Sequence, residues 1–321
     1  MKLIRAFFAA AVLLSLGWMP AHAQQYPSKP ISMVVAYPPG GATDIAARIY
    51  SAKLAEQLGR SVVVENRAGA GGAIGTDYVA RAAPDGHTLI FMVDANTIMP
   101  ALSTKLTWDP VRDFAPISMT AVGSHAFVAH PSFGPSNVKE LIEHAKRTPE
   151  SYASPGNGSA QHLGMELFKT RAGIDLQHVP FQGGSPALTS LAGGHVKVGI
   201  IALASALPFI RSGKLKAIAL TGDKRSAALP SVPTVAESGL PGFATIQWFG
   251  VLAPAGTPAA IISRLHSEVL KASQDPGVIE KLASVALEVR TSPAPEDLGR
   301  FMKEDMAKWP PIVKAAGVKI D

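Results

Sequence analysis

The chain has 321 residues, 47% of them apolar, a formal charge of +6 and no cysteine. Such a length and apolar content can bury one large core or two smaller ones without covalent staples. The missing cysteine excludes a disulfide framework, a thiol nucleophile and a lipidated N-terminal cysteine. The basic residues are scattered singly, without interleaved aromatics, which argues against nucleic acid as a partner.

Lys2 and Arg5 precede an apolar run over residues 7–16, and Ala21-His22-Ala23 follows. This pattern predicts a secretory signal peptide cleaved after Ala23, because the run is too short to span a bilayer. The expected mature protein starts at Gln24, is exported to the periplasm and keeps a charge of +4 once Lys2 and Arg5 are gone.

Short apolar strands then alternate with helices. The pattern predicts strand 31–36, a helix over 44–58 stopped by Gly59, strand 61–65, a helix over 74–82 and strand 87–93. That βαβαβ rhythm implies a parallel sheet covered by helices. Residues 114–130 read as two extended apolar runs. A helix over 137–147 with Ser136 as N-cap restarts the rhythm, and strand–glycine turn–helix units follow at 152–173 and 177–194. Strands are predicted at 196–203 and 216–220, and residues 244–258 are extended. The last three helices, 258–274, 276–285 and 295–316, each open on a proline, which a first helical turn tolerates.

The predicted architecture is α/β with two similar units. Residues 24–122 plus 250–321 form the first and 123–249 the second, joined only by the extended segments near 120–130 and 243–253.

Both units leave strands through glycine. "YPPGGATD" follows the first strand, "SPGNGS" precedes the helix carrying His162, and "FQGGSP" precedes another. The first N–H groups of a helix lack intrahelical partners and carry partial positive charge. Glycine lets an anionic oxygen approach them, so a carboxylate, sulfate or phosphate is the natural guest. Asp44 would repel an anion placed too close and is expected to shape the loop.

"GAGGAIG", residues 69–75, misses the dinucleotide fingerprint because Ile74 stands where the third glycine belongs. His125 and His130 point to opposite faces of an extended run, so no metal pair is expected. Ser159 lacks the glycine two residues on that a hydrolase elbow needs. Neither catalytic residues, a metal nor a cofactor is expected.

"YPPGGATD", "VVVENRAGAGGAIGTDYVARAAPDGHTL", "GNGSAQHLGMELF", "VPFQGGSPALTSLAGG" and "LPSVPTVAESGLPGF…WFGVLAPAGTP" resemble the Bug family, the extracytoplasmic solute receptors of tripartite tricarboxylate transporters. The resemblance runs from Tyr26 to the C-terminus. It implies a two-domain, type II periplasmic-binding-protein-like fold with the ligand cleft between domains. The implied role is a non-catalytic, monomeric receptor handing a carboxylate to integral-membrane permease subunits. It also implies site residues. Tyr37, Pro39, Gly40, Gly41, Ala42, Thr43 and Asp44 match the first ligand loop, and Ala95 and Asn96 a strand end flanking the ligand. Gly156, Asn157, Gly158, Ser159 and His162 match the second-domain loop, and Gln182, Gly183, Gly184 and Ser185 the turn facing it. The chain departs from many relatives at Phe181, Gln182, Met99 and Ile201. The apolar Ile201, where an acid is common, favours an aromatic or longer aliphatic acid over an amine-bearing ligand. Two alternatives share the sequence features: an exported hydrolase-like enzyme using Ser159 and His162 on a carboxylated substrate, and a solute-sensing partner of a membrane signalling protein.

Overall fold

The computed structural model describes residues 26–318, so the predicted signal segment lies outside the described residues. The first half is built on β1 (Ile31–Val35), β2 (Val62–Asn66) and β3 (Thr88–Val93), with β2 and β3 each parallel to β1. Helices α1 (Ala42–Leu58) and α2 (Ala73–Ala80) make the crossovers. Gly59 ends α1 in the left-handed conformation, φ 62°, as a glycine in that position can.

β4 (Phe114–Ala129) is one strand of 16 residues, not two runs. Its first part pairs antiparallel with β9 (Ile246–Pro254) and, at 121–123, with β10 (Leu287–Val289). From His125 onward it pairs with β7 (Val198–Ala202), and from Ala126 with β8 (Lys216–Leu220). β4 thus passes from one sheet into the other. The second sheet is completed by β5 (Ser151–Ser154) and β6 (Gln177–Pro180), parallel to one another, with β5 also parallel to β7. The sheets are mixed rather than wholly parallel, because β4 and β9 run against their neighbours.

Each sheet is covered on both faces. In β1, Ile31, Met33 and Val35 face one core with Tyr50 and Leu54 of α1, while Val34 faces another with Trp108 and Trp248. The second sheet likewise separates a cluster around Phe127, Tyr152 and Phe168 from one around Ala126, Leu188 and Leu207. Burial on both faces explains the near-continuous apolar strands.

Two helices lie where none was predicted: α3 (Asp94–Leu102) follows β3 without a loop, and α7 (Leu203–Arg211) follows β7 the same way. The helix α4 (Val138–Ala145) is capped by Asn137, whose side chain accepts the Glu140 N–H, and not by Ser136. Then come α5 (Ala160–Ala172), α6 (Gly184–Ala192), α8 (Ala259–Gln274), α9 (Pro276–Ser284) and α10 (Pro295–Ala316). The end of α10 reaches the other half of the fold: Trp309 and Val313 pack with Ile98 and Leu102 of α3 and with Ala160 and Leu163 of α5.

Candidate functional site

The first glycine turn is held rigidly from below. Gly40 has φ +81°, a conformation that favours glycine. Gly41 is the extended N-cap of α1, and no side chain caps that helix. Asp44 is buried. Its carboxylate accepts the Gly40 N–H at 3.0 Å, the Arg48 Nε–H at 3.0 Å and the Asn66 amide at 2.9 Å. The same Asn66 amide donates to the Tyr37 carbonyl at 3.0 Å. Burial works to raise the Asp44 pKa, but Arg48, the Gly40 N–H and Asn66 outweigh it and hold the carboxyl below its ordinary value. Asp44 therefore shapes the loop, and one loop amide, that of Gly40, is taken by the protein's own acid.

The run 69–72 serves as packing for Tyr37. The phenol donates to the Gly71 carbonyl at 3.2 Å, and a Cβ on Gly72 would stand 2.8 Å from the phenol oxygen. Met99 lies under Gly71. Ala95 and Tyr37 both pack against the core cluster that includes Ala42. Asn96 is buried, and its amide is spent inside the fold on the Val93 N–H and the Thr76 hydroxyl.

In the second half the two turns lie side by side: the Gly183 N–H donates to the Pro155 carbonyl at 2.8 Å, and the Phe181 N–H to Ser154. Ser159 caps α5 by accepting the His162 N–H, and its hydroxyl donates to the Gly156 carbonyl at 2.8 Å. His162 Nδ1 accepts the Gly158 N–H at 3.1 Å. The Ser159 hydroxyl and His162 Nδ1 are thus both committed to loop backbone, which is not the pairing a serine nucleophile and its base require. With Nδ1 accepting, the neutral imidazole carries its proton on Nε2. His162 stacks on His178 with centroids 3.8 Å apart, and His178 on Tyr152 at 4.9 Å. Both imidazole pKa values fall to about 4, chiefly by desolvation, with Lys169 and, for His178, its stacked neighbour adding to the effect. Asn157, Gln182 and Ser185 are exposed, and Gly184 begins α6 behind an uncapped N-terminus.

The two halves bring these turns face to face. A Cβ on Gly40 would lie 3.7 Å from the Ser185 hydroxyl oxygen, and one on Gly183 would lie 3.4 Å from the Pro38 ring. Ala202 and Ala204 of the second half pack into the first half's core cluster with Ala42. Ile201 does not border this cleft. It is fully buried in the second half's own core, one residue out of phase with Ala202, so it carries no information on ligand type. Sequence reasoning also overlooked Arg48, which meets Asp44 one helical turn back, and Asn66, which reaches Asp44 from 22 positions away.

Two α/β lobes joined by crossing strands, with helix N-termini opposed at the strand ends, form a clamshell solute-binding protein. Residues 46–318 match the family described as the tripartite tricarboxylate transporter family receptor. Protein BugT of Bordetella pertussis is 36% identical over 305 residues, spanning 94% of this chain and 93% of BugT. Among solved structures, R. palustris Rpa4515 with adipate superposes with a TM-score of 0.88 at 33% identity, covering 92% of this chain and 99% of that one. MatC from Rhodopseudomonas palustris with bound malate gives a TM-score of 0.84 at 33% identity, covering 90% and 100%. The chain belongs to the tripartite tricarboxylate transporter receptor family, and its fold is that of the two-domain periplasmic binding proteins.

Proposed function

We propose that this protein captures a small carboxylate in the periplasm and delivers it to the integral-membrane permease of a tripartite transporter, acting as a monomer and without chemical turnover. The observation that carries this reading is the opposition of the first glycine turn to Gly183 and Ser185 across the cleft. Backbone N–H groups at Ala42, Thr43 and Gly184, with His162 Nε2 and the hydroxyl of Ser185, are the donors assigned to the anion. The Pro39–Gly41 turn and the 156–158 loop let it approach. Uncapped helix N-termini favour negative charge. Related proteins holding adipate and malate add support.

In this reading the lobes are 24–122 plus 250–321 and 123–249, and they rotate about β4, which enters both sheets, and the start of β9, where the chain returns to the first sheet. A guest bound to the first turn completes its coordination when the second lobe arrives, so its affinity for the closed form drives closure. In the same reading residues 1–23 direct export and are cleaved off after Ala23.

Isothermal titration against a panel of mono-, di- and tricarboxylates tests the proposal. A bound acid at 100 times its Kd adds about 2.7 kcal/mol of stability, which for a chain of this size raises Tm by roughly 4 °C. Saturable binding with that shift is expected. A panel in which neutral sugars or amines shift Tm and no acid does overturns it.

A further inference from the structure

The crossing strands carry a hollow on the face turned away from the cleft. Ser124 of β4 pairs with Ile246 of β9, so the two share a face with Val122, two residues back. His125 points the other way, its ring 3.8 Å from Asp94, which follows β3 beside Ala95. Val122, Ser124 and Ile246 thus floor a hollow of about 380 Å³ that opens to solvent. Its walls come from both lobes. Residues 222–226, which follow β8, form one wall, and Ala286 and Glu288 form the other. Lys224 and Glu288 reach across the gap and meet at 2.9 Å.

Both walls are firmly seated. Leu287 belongs to the first lobe's core cluster, while Ala286, its neighbour in sequence, belongs to the second lobe's with Leu207 and Leu220. Ala286 is held at φ +59°, a conformation that a residue other than glycine keeps where its surroundings enforce it. A Cβ on Gly123 would stand 2.6 Å from a Leu287 methyl, so β4 and β10 touch closely at this point. On the other side, the Thr221 and Gly222 N–H groups both donate to the Ser124 hydroxyl, at 3.1 and 3.0 Å.

The conformation described has its lobes closed at the front, where a Cβ on Gly183 would lie 3.4 Å from the Pro38 ring. Rotation that parts these turns swings residues 222–226 and 286–288 towards one another, because the cleft and the hollow lie on opposite faces of the same axis. Packed protein hardly compresses. Opening therefore stops when the hollow is used up.

We propose that this hollow is the backstop of the hinge: its depth sets how far the cleft opens, and with it the fraction of unliganded protein that is already closed. The proposal rests on the receptor reading above and adds that residues remote from the guest set its affinity. An apparent Kd is the intrinsic Kd divided by the closed fraction, so a side chain that fills the hollow tightens binding. Lys224 and Glu288 are both largely exposed, and their ion pair weighs little in this balance.

The test combines small-angle scattering on the unliganded protein with calorimetric titration of adipate and malate, using wild type, Ile246→Trp, Ser226→Trp and Ile246→Ala. The two tryptophans fill the hollow from its floor and from one wall. Each should lower the radius of gyration of the unliganded protein towards the value calculated for the closed conformation. A closed fraction raised from about one tenth to nearly all lowers the Kd for adipate or malate about ten-fold. Ile246→Ala, which widens the hollow, should not tighten binding, a contrast that mere loss of stability does not produce. Scattering curves that superpose for wild type and both tryptophan variants overturn the backstop, and so does weaker binding in both. Ser226→Trp decides the matter if Ile246→Trp does not fold. Scattering needs no guest, so a failure of both acids to bind counts against the receptor reading while the backstop still stands or falls on the curves.

Discussion

The carboxylate of Asp44 takes the backbone N–H of Gly40 at 3.0 Å, four residues back along the same turn. An acid so placed looks hostile to an anion site, yet it spends its charge on Arg48 and Asn66 and fixes the loop's path.

Asp44→Ala should therefore cost about 1–3 kcal/mol, because the Gly40 N–H and the Asn66 amide lose a charged partner. Affinity for the carboxylate should fall rather than rise with the loss of a negative charge, since the turn is no longer preorganised. Denaturant unfolding and titration calorimetry read the two effects. The pH dependence has a definite sign. The folded pKa lies below the ordinary 3.8, so this stabilisation is complete above that value and is lost as pH falls through the lower folded one. The acid limb of the wild-type stability curve should be steeper than that of Asp44→Ala.

Gly40 and Gly41 should respond differently to substitution. Gly40 has φ +81°, so Gly40→Val strains the backbone and should cost roughly 1–3 kcal/mol. Gly41 is extended, and a Cβ there meets only the Pro38 carbonyl at an ordinary 3.8 Å. Gly41→Val should keep Tm within about 2 °C of wild type while abolishing carboxylate binding, because its methyls project beside the uncapped start of α1. Unchanged affinity in Gly41→Val would mean the turn is no more than a turn.

Much of this was legible in the sequence where the signal is local. The short apolar run at 31–36, the stop at Gly59 and the three proline-led helices follow from short-range chemistry. The first glycine turn was found because it lacks side chains between a strand and a helix. Helices α3 and α7 were missed for the converse reason: each follows its strand with no intervening loop, and each carries a proline, Pro100 or Pro208, that reads as a breaker. Ile201 was misjudged because strand faces alternate, and a shift of one residue exchanges core for cleft. Asn66 acts through Asp44 and the Tyr37 carbonyl, partners distant in sequence, which no local pattern reveals.

The stack of Tyr152, His178 and His162 should make stability sensitive to mild acid. Both imidazoles have folded pKa values lowered from 6.5 to about 4. The unfolded chain binds their protons first, so stability is full above pH 6.5 and declines as pH falls towards 4. Glu166, held by Lys169 and the Tyr152 phenol, is the nearby acid that moderates the effect. Replacing one ring by an untitratable one, as in His178→Phe, should flatten the decline of Tm between those values. The loss of the Ser154 hydrogen bond to His178 should cost about 1 kcal/mol at neutral pH. A Tm profile in which wild type and variant run parallel from pH 7 to 4 would remove the stack as the cause.

The apolar seam between the end of α10 and the start of α5 ties the C-terminus to the loop that carries Ser159 and His162. Val313 and Trp309 contribute from α10, Leu163 and Ala160 from α5, and Ile98 and Leu102 from α3. Every one of these side chains is nearly buried, with Val313 7% exposed. Val313→Ala removes two methyl groups and should cost about 1–1.5 kcal/mol. If lobe rotation opens the seam, that loss falls on the closed form alone. The Kd for a bound acid should then rise about five- to ten-fold, although Val313 is not among the groups assigned to the ligand. If the seam is instead retained in the open form, unfolding stability drops by the same amount while Kd stays put. Paired measurements on Val313→Ala and Leu163→Ala separate these outcomes. The first is expected, because the seam joins helices on opposite sides of the crossing strands.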